Sequence, residues 1–304
     1  MKLLIVGSVA VDTIDTPFGS VKRALGGSAT YASVASSYFT KTGIVGVVGN
    51  DFEKKHINLL KKQGVDLDGL QVDPSGKTFH WSGYYEGDMN EAITRDTELN
   101  VFEKFNPVIP DAYKKTPFVM LGNIHPALQL NVLEQIKKPR MVLCDTMNFW
   151  ITSAPQIVEQ VFRKVDIICI NDGEAKLFCN TSSLPKAAAE LLKLGAKRVI
   201  IKKGAHGVNL YGKKSFFSLP AIPLTKVKDP TGAGDSFAGG TIGYLANCKT
   251  DTEDNYRRGL LNGTVLASYC VENFSCRKTV SLKKTDINKR VKMLKEFNRI
   301  PAMK

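Results

Sequence analysis

The residues best equipped to do chemistry lie between Asp229 and Gly240, in the string DPTGAGDSFAGG. Pro230 and Gly232 suit a tight turn, and the run from Ala238 through Ile242, Tyr244 and Leu245 reads as a helix of small and apolar residues. The stretch is therefore a loop feeding a helix N-terminus. Three features coincide there: backbone N–H groups without intrahelical partners, small residues (Gly232, Ala233, Gly234) that let an anion approach the main chain, and one carboxylate, Asp235. An anion hole with a base in it suits phosphoryl transfer, where the protein mostly positions groups and stabilises charge on the transferred oxygens. Asp235 need only orient an acceptor hydroxyl and take its proton, and the helix dipole is expected to keep it ionised at neutral pH. Locally, the same pattern also describes an ordinary glycine-rich turn with an acid complementing the dipole.

Taken whole, DPTGAGDSFAGG resembles the signature of the ribokinase-like, or phosphofructokinase B (PfkB), family of carbohydrate and nucleoside kinases. The resemblance implies that Asp235 is the catalytic base and that Gly232, Ala233 and Gly234 line the hole for the transferred phosphate. It implies ATP as donor and magnesium (Mg2+) on its phosphates. It also implies that Asp229 and Thr231 help bind an activating monovalent cation such as potassium (K+).

Other segments must position this one. Leu3 to Val11 is nearly continuously apolar, as a strand covered on both faces should be, and it delivers Asp12 at its carboxyl end, where open α/β sheets place ligands. Gly26-Gly27 precedes Ser28, a suitable N-cap, and then Ala32, Val34, Ala35 and Phe39 at helical spacing. By resemblance, Asp12 and the Gly26-Gly27 pair contact the acceptor. The chain departs from ribokinases proper by having Ala29-Thr30-Tyr31 where they have Gly-Ala-Asn, which puts the Tyr31 phenol in place of an amide toward the acceptor and counts against ribose.

Thr42 to Gly49 reads as a strand before a helix, and Phe79 to Glu86, with Phe79, Trp81, Tyr84 and Tyr85, as a β-rich insertion. Glu86 to Asn100 is polar and reads as an exposed excursion. By resemblance, segments at about 12–24 and 76–100 form a small β lid that closes over the acceptor and makes a homodimer contact; lid aromatics would cover a sugar face or stack on a base, or simply pack.

From Phe118 onward short apolar strands (Phe118 to Leu121, Met141 to Cys144, Val165 to Ile170, Arg198 to Lys203) alternate with helical stretches, which implies a mostly parallel sheet with helices on both faces. Asn123 and Asp145 then follow strand ends, and Asn123 is a candidate for the acceptor. Asn171-Asp172-Gly173-Glu174 is similar to the family's Asn-x-x-Glu motif, implying that Asn171 and Glu174 serve the ATP phosphates and that Glu174 holds magnesium through water; a capping Asn with an N-terminal acid would look the same. Gly204 and Gly207 are similar to the family's nucleotide-binding turn, and Asn262 is a candidate for the adenine end. Lys202-Lys203 stands where many members have Thr-Leu, and a lysine there faces either donor phosphates or solvent. Gly207 to Lys214 approaches a P-loop but has Lys214 where Ser or Thr is required, and it reads as a hairpin.

At 304 residues and 43% hydrophobic content the chain can bury a sizeable core. Its formal charge of +13 comes from lysines scattered in pairs, which describes a solvated face rather than a nucleic-acid stripe. Six cysteines without a CxxC pair fit a reducing, cytoplasmic setting, and Lys2 to Val11 is too short for a signal peptide. The expectation is one α/β domain over 1–304, a three-layer α/β/α sandwich of the ribokinase-like kind with a β lid. It would transfer the γ-phosphoryl of ATP to a hydroxyl, primary by preference, of a sugar or sugar-like acceptor, without nucleic-acid or membrane partners. The alternatives are a nucleoside kinase of the same fold and a non-catalytic sugar- or nucleotide-binding regulator.

Overall fold

Strands that are apolar on both faces can only be stable between two layers of helices, and the chain builds that arrangement. In the computed structural model, which describes residues 1–299, the first part of the chain contains β1 (Leu3–Val6), β2 (Ala10–Thr16), β3 (Gly19–Gly26), α1 (Ser28–Ser36), β4 (Thr42–Gly49), α2 (Lys54–Lys62), β5 (Val65–Asp73), β6 (His80–Tyr84) and β7 (Ile93–Glu98). It continues with β8 (Phe118–Leu121), α3 (Pro126–Gln135), β9 (Met141–Cys144), α4 (Asn148–Ser153), α5 (Pro155–Phe162), β10 (Ile167–Asn171), α6 (Asp172–Phe178), α7 (Leu184–Lys193) and β11 (Arg198–Lys202). The hairpin β12 (Val208–Gly212) and β13 (Ser215–Leu219) precedes α8 (Ala233–Ala246), α9 (Glu253–Cys270) and α10 (Lys284–Phe297).

Nine strands form one sheet in the order β13-β12-β11-β10-β9-β8-β1-β4-β5, parallel from β11 to β5 and antiparallel only at the β12–β13 edge. The two-residue alternation of a strand divides its side chains between two cores. Leu3, Ile5, Ile44, Phe118, Met120 and Ile167 face α1, α8 and α9, whereas Leu4, Val6, Val45, Val119, Leu121 and Ile168 face α3, α5 and α7. The three-layer sandwich expected from the alternating pattern is thus what forms.

A second, smaller sheet, in the order β3-β2-β6-β7, gathers the segments expected to serve as a lid. Here the sequence misleads. The run Leu3 to Val11 is two strands, because the chain leaves the large sheet after Val6 and crosses through Gly7–Val9 to begin the lid at Ala10. Asp12 is therefore a lid residue and not the end of β1. The polar stretch after Glu86 likewise contains β7, exposed at every position yet paired to β6 through its backbone, so composition alone hides it. Lid and large sheet are tied by the Thr16 hydroxyl, which donates to the Lys228 carbonyl at 2.9 Å, and by Asp51, which accepts from Thr78 and pairs with Arg23 at 2.6 Å.

The helix carrying the anion-hole loop crosses α1 at contact distance. A Cβ on Gly239 would lie 2.2 Å from the Ala32 carbonyl oxygen, so only a glycine lets α8 approach the helix that follows Gly26-Gly27. Ser28 is not the N-cap of that helix. Gly27 occupies the cap position, and Ser28 is buried, its hydroxyl accepting from the Ser8 amide at 3.1 Å. α10 covers α9 rather than a sheet edge, with Ile287 and Leu294 in the core. Among the described residues no helix is long and apolar enough to cross a membrane.

Candidate active site

The carboxyl ends of β9, β10 and β11 lie side by side and present Asp145, Asn171 and Lys202, with Asn171 and Lys202 in register. Asn171 caps α6: its side chain accepts from the Glu174 amide at 2.7 Å, and the Glu174 carboxylate accepts from the Asn171 amide at 2.7 Å. The capping alternative is therefore present, and the same capping box fixes the Glu174 carboxylate within electrostatic reach of Lys202, Asp145 and Asp235. Lys202 is turned inward. Its ammonium donates to both oxygens of Asp145, at 2.8 and 3.0 Å, with only 17% and 6% of the two side chains exposed.

Opposite these residues stands the N-terminus of α8. Gly232 is the N-cap in a left-handed conformation, and no side chain caps the helix. The Ala233 amide closes a turn onto the Pro230 carbonyl at 3.1 Å, so it is not a donor for the anion hole as the motif suggested. The Gly232 and Gly234 amides have no acceptor among the described residues, and the Asp235 amide, which precedes the first intrahelical bond, meets only its own carboxylate. The Lys202 ammonium lies beside them, 3.2 Å from where a Gly234 Cβ would be.

Asp235 is recessed rather than sealed, partly solvent-exposed but crowded by protein. Burial first, then the Asp145 charge, pushes its carboxyl up to about 7, against the lowering influence of Lys202 and its own amide. The helix dipole alone suggested full ionisation at neutral pH; crowding by a second carboxylate wins instead. Burial likewise raises Glu174. A general base must be ionised, so with Asp235 in the expected role kcat/KM for the acceptor at saturating Mg-ATP is expected to fall as pH drops through about 7, well above the ordinary Asp value of about 3.9. Initial rates from about pH 5 to 9 measure this, and a plateau reaching pH 5 contradicts it.

On the lid side, Asp12 is buried with its carboxylate folded over Gly26, where a Cβ would come within 1.9 Å of the Asp12 Oδ2. Burial, followed by repulsion from Asp229 and Asp235, pushes its carboxyl up to about 8 despite the Gly27 amide. Asp12, set against Gly26 and Gly27, is thus close enough to Asp229 and Asp235 to feel both charges. Trp81 is the register partner of Asp12, half-buried on the same lid face. Tyr85, just beyond β6, is buried and accepts from the Thr231 hydroxyl at 3.1 Å, joining the lid to the loop before α8.

The match to known proteins agrees with this geometry. The profile of the pfkB family carbohydrate kinases covers residues 2–282. The chain belongs to that family. A cytidine kinase of Thermococcus kodakarensis is 31% identical over 80% of this chain and 88% of its own length. A 5-dehydro-2-deoxygluconokinase of Photobacterium profundum is 25% identical over 85% of the chain and 83% of its own. In fold, a putative ribokinase II of E. coli, in complex with ATP and Mg2+, superposes with a TM-score of 0.80 at 20% identity, over 96% of this chain and 99% of that one. The pfkB chain is a phosphotransferase with an alcohol group as acceptor.

Several residues chosen from the sequence are engaged elsewhere in this pfkB fold. Tyr31 is sealed in the core: it is 2% exposed, its ring lies under Gly232, and its hydroxyl has no partner among the described residues. Tyr31→Phe is therefore expected to leave kcat/KM unchanged and to hold or raise the melting temperature, since an unpaired buried hydroxyl costs about 1–3 kcal/mol; a loss of acceptor affinity in this variant would return the phenol to the site. The Asn123 amide accepts from the Trp150 indole at 3.0 Å and points its Nδ2 at the Met147 sulfur, tying its loop to α4. Asn262 donates to the Arg258 carbonyl of its own helix at 2.8 Å. Gly204 and Gly207 flank an exposed turn after β11, and Gly207 packs against the Leu219 carbonyl. The Asp145–Lys202 pair was not foreseen, although one sign was present: an acid and a lysine each directly at the end of an apolar strand.

Proposed function

We propose that the chain transfers the γ-phosphoryl of ATP to a primary hydroxyl of a sugar or sugar-like acceptor. The observation that carries this is Asp235 in the first turn of α8, beside the Gly232 and Gly234 amides, which have no acceptor among the described residues, with the Asp12 carboxyl close enough to feel its charge. Asp12 holds acceptor hydroxyls, and Asp235 takes the proton of the attacking one. The Gly232 and Gly234 amides hold the transferring phosphoryl, and closure of the lid over the acceptor excludes water.

Glu174 fits magnesium: it is a single recessed carboxylate, and the ion takes few protein ligands while keeping several waters. The metal would neutralise charge on the donor phosphates. Asp229 fits a monovalent cation such as K+, because its carboxylate is fully buried, accepts from the Thr231 and Ser275 amides and has no cationic side chain paired to it among the described residues. With Thr231 it would hold that ion and brace the loop before α8. A reducing cytoplasm suits six unpaired cysteines, and the open edges of the lid suit a homodimer.

A nucleoside acceptor is a second reading, favoured by Trp81 standing beside Asp12 on the inner lid face and by the cytidine kinase relative. ADP release from Mg-ATP across free sugars, polyols, sugar acids and nucleosides tests both. Turnover with sugars alone supports the first reading. Turnover confined to nucleosides, with KM rising in Trp81→Ala, supports the second, and no acceptor-dependent ADP in the whole panel would overturn both.

A further inference from the structure

The buried ion pair at the end of β9 and β11 asks for an explanation that stability does not supply. Removing an ammonium and a carboxylate from water costs about as much as their attraction returns, and apolar residues of similar size commonly serve a core as well. Nearby, Glu174 and Asp235 are both raised by the Asp145 charge and lowered by Lys202, so three carboxylates share one ammonium. An ammonium has three N–H donors. Two of those on Lys202 go to the two oxygens of Asp145, and the third has no acceptor among the described residues. The nearest main chain is that of Gly234, whose missing side chain leaves the ammonium 3.2 Å from the Cβ position and therefore beside the uncapped amides of α8.

We propose that Lys202 is a catalytic residue whose third N–H binds an oxygen of the transferring phosphoryl group, and that Asp145 is the positioning residue that aims it. The proposal rests on the reading of Asp235 and the α8 amides as the transfer site. During transfer the acceptor oxygen bonds to the γ-phosphorus, and the bond from that phosphorus to the β–γ bridging oxygen breaks, its electron pair staying on ADP. The acceptor proton passes to Asp235. Lys202 keeps its proton throughout and supplies fixed positive charge where the phosphoryl oxygens spread theirs. Burial alone would favour a neutral amine, but the carboxylates of Asp145, foremost, and Glu174 outweigh it and hold the ammonium charged.

The experiment is calorimetric titration of Mg-ADP with and without aluminium fluoride, a mimic of the phosphoryl in flight, into wild type, Lys202→Met and the double variant Lys202→Met/Asp145→Asn. The double variant removes both charges, so it escapes the unpaired buried carboxylate that can unfold the single one. Wild type is expected to bind Mg-ADP more tightly with aluminium fluoride. Both variants are expected to lose at least tenfold of that gain while their affinity for Mg-ADP alone stays within about threefold. If the double variant regains the gain that the single variant lost, Lys202 only neutralises Asp145 and the proposal is overturned; a gain undiminished in both also overturns it. No gain in wild type would overturn the transfer-site reading itself, a different failure.

Discussion

Asp235→Asn is expected to lower kcat by about a hundred- to ten-thousand-fold, the contribution of a positioned general base, while the melting temperature and Mg-ATP affinity stay close to wild type. The substitution preserves size, and an amide can still sit among the residues that hold the carboxylate, so the fold loses nothing it depends on. It cannot take the acceptor proton. The change also removes a charge that burial and Asp145 already disfavour, which argues for unchanged or slightly higher stability. Steady-state kinetics with the best acceptor, paired with thermal unfolding, checks both halves. A variant turning over within a few-fold of wild type would take Asp235 out of the chemistry.

Gly232→Ala is expected to damage stability and rate together. Gly232 has φ +75°, a conformation that side chains rarely adopt, and its Cβ would lie 2.3 Å from the ring of Tyr31, a core residue with no room to retreat. Backbone strain of about 1–3 kcal/mol combines with an overpacking cost of similar size. A fall of roughly 5 °C or more in melting temperature is the expected result. Because relief requires the loop to lift away from Tyr31, the α8 amides move as well, and a displacement near 1 Å at a transfer site costs about a hundredfold in rate. Gly64→Ala is the control: Gly64 has φ +81° with no atom within 4 Å of its Cβ position, so it carries the strain without the collision. That variant is expected to lose some stability and none of its kcat. Equal rate losses in the two variants would mean that the position of the loop over Tyr31 does not govern catalysis.

The Gly232→Ala prediction depends on Tyr31, and that residue marks the limit of local inference. Its place after the double glycine suggested a phenol reaching toward the acceptor, but the direction of a helical side chain depends on what crosses the helix. α8 crosses α1 closely through Gly239, and the loop leading into α8 therefore lies on the Tyr31 ring.

Much of this protein was legible in its sequence because the deciding physics is local. Apolar runs alternating with helical periodicity imply a parallel sheet between helices, since β-strands without polar faces have to be covered twice. A glycine-rich turn entering a helix beside one acid implies exposed amides with a base, since the first turn of any helix lacks acceptors for its N–H groups. The capping box of Asn171 and Glu174 was similarly implied by four consecutive residues. Tertiary structure decided what depends on distance through space. Leu3 to Val11 had to be divided between two sheets, because the lid starts only where the chain finds β3 and β6 to pair with. β7, exposed at every position, owes its strand to β6. Asp145 and Lys202, 57 residues apart in sequence, became an ion pair because β9 and β11 flank β10 in the same sheet. Asp235 lost the full ionisation its helix favoured because burial, and after it the Asp145 carboxylate that this pairing brought near, raise its carboxyl, and the charge balance of a site belongs to every element that meets there.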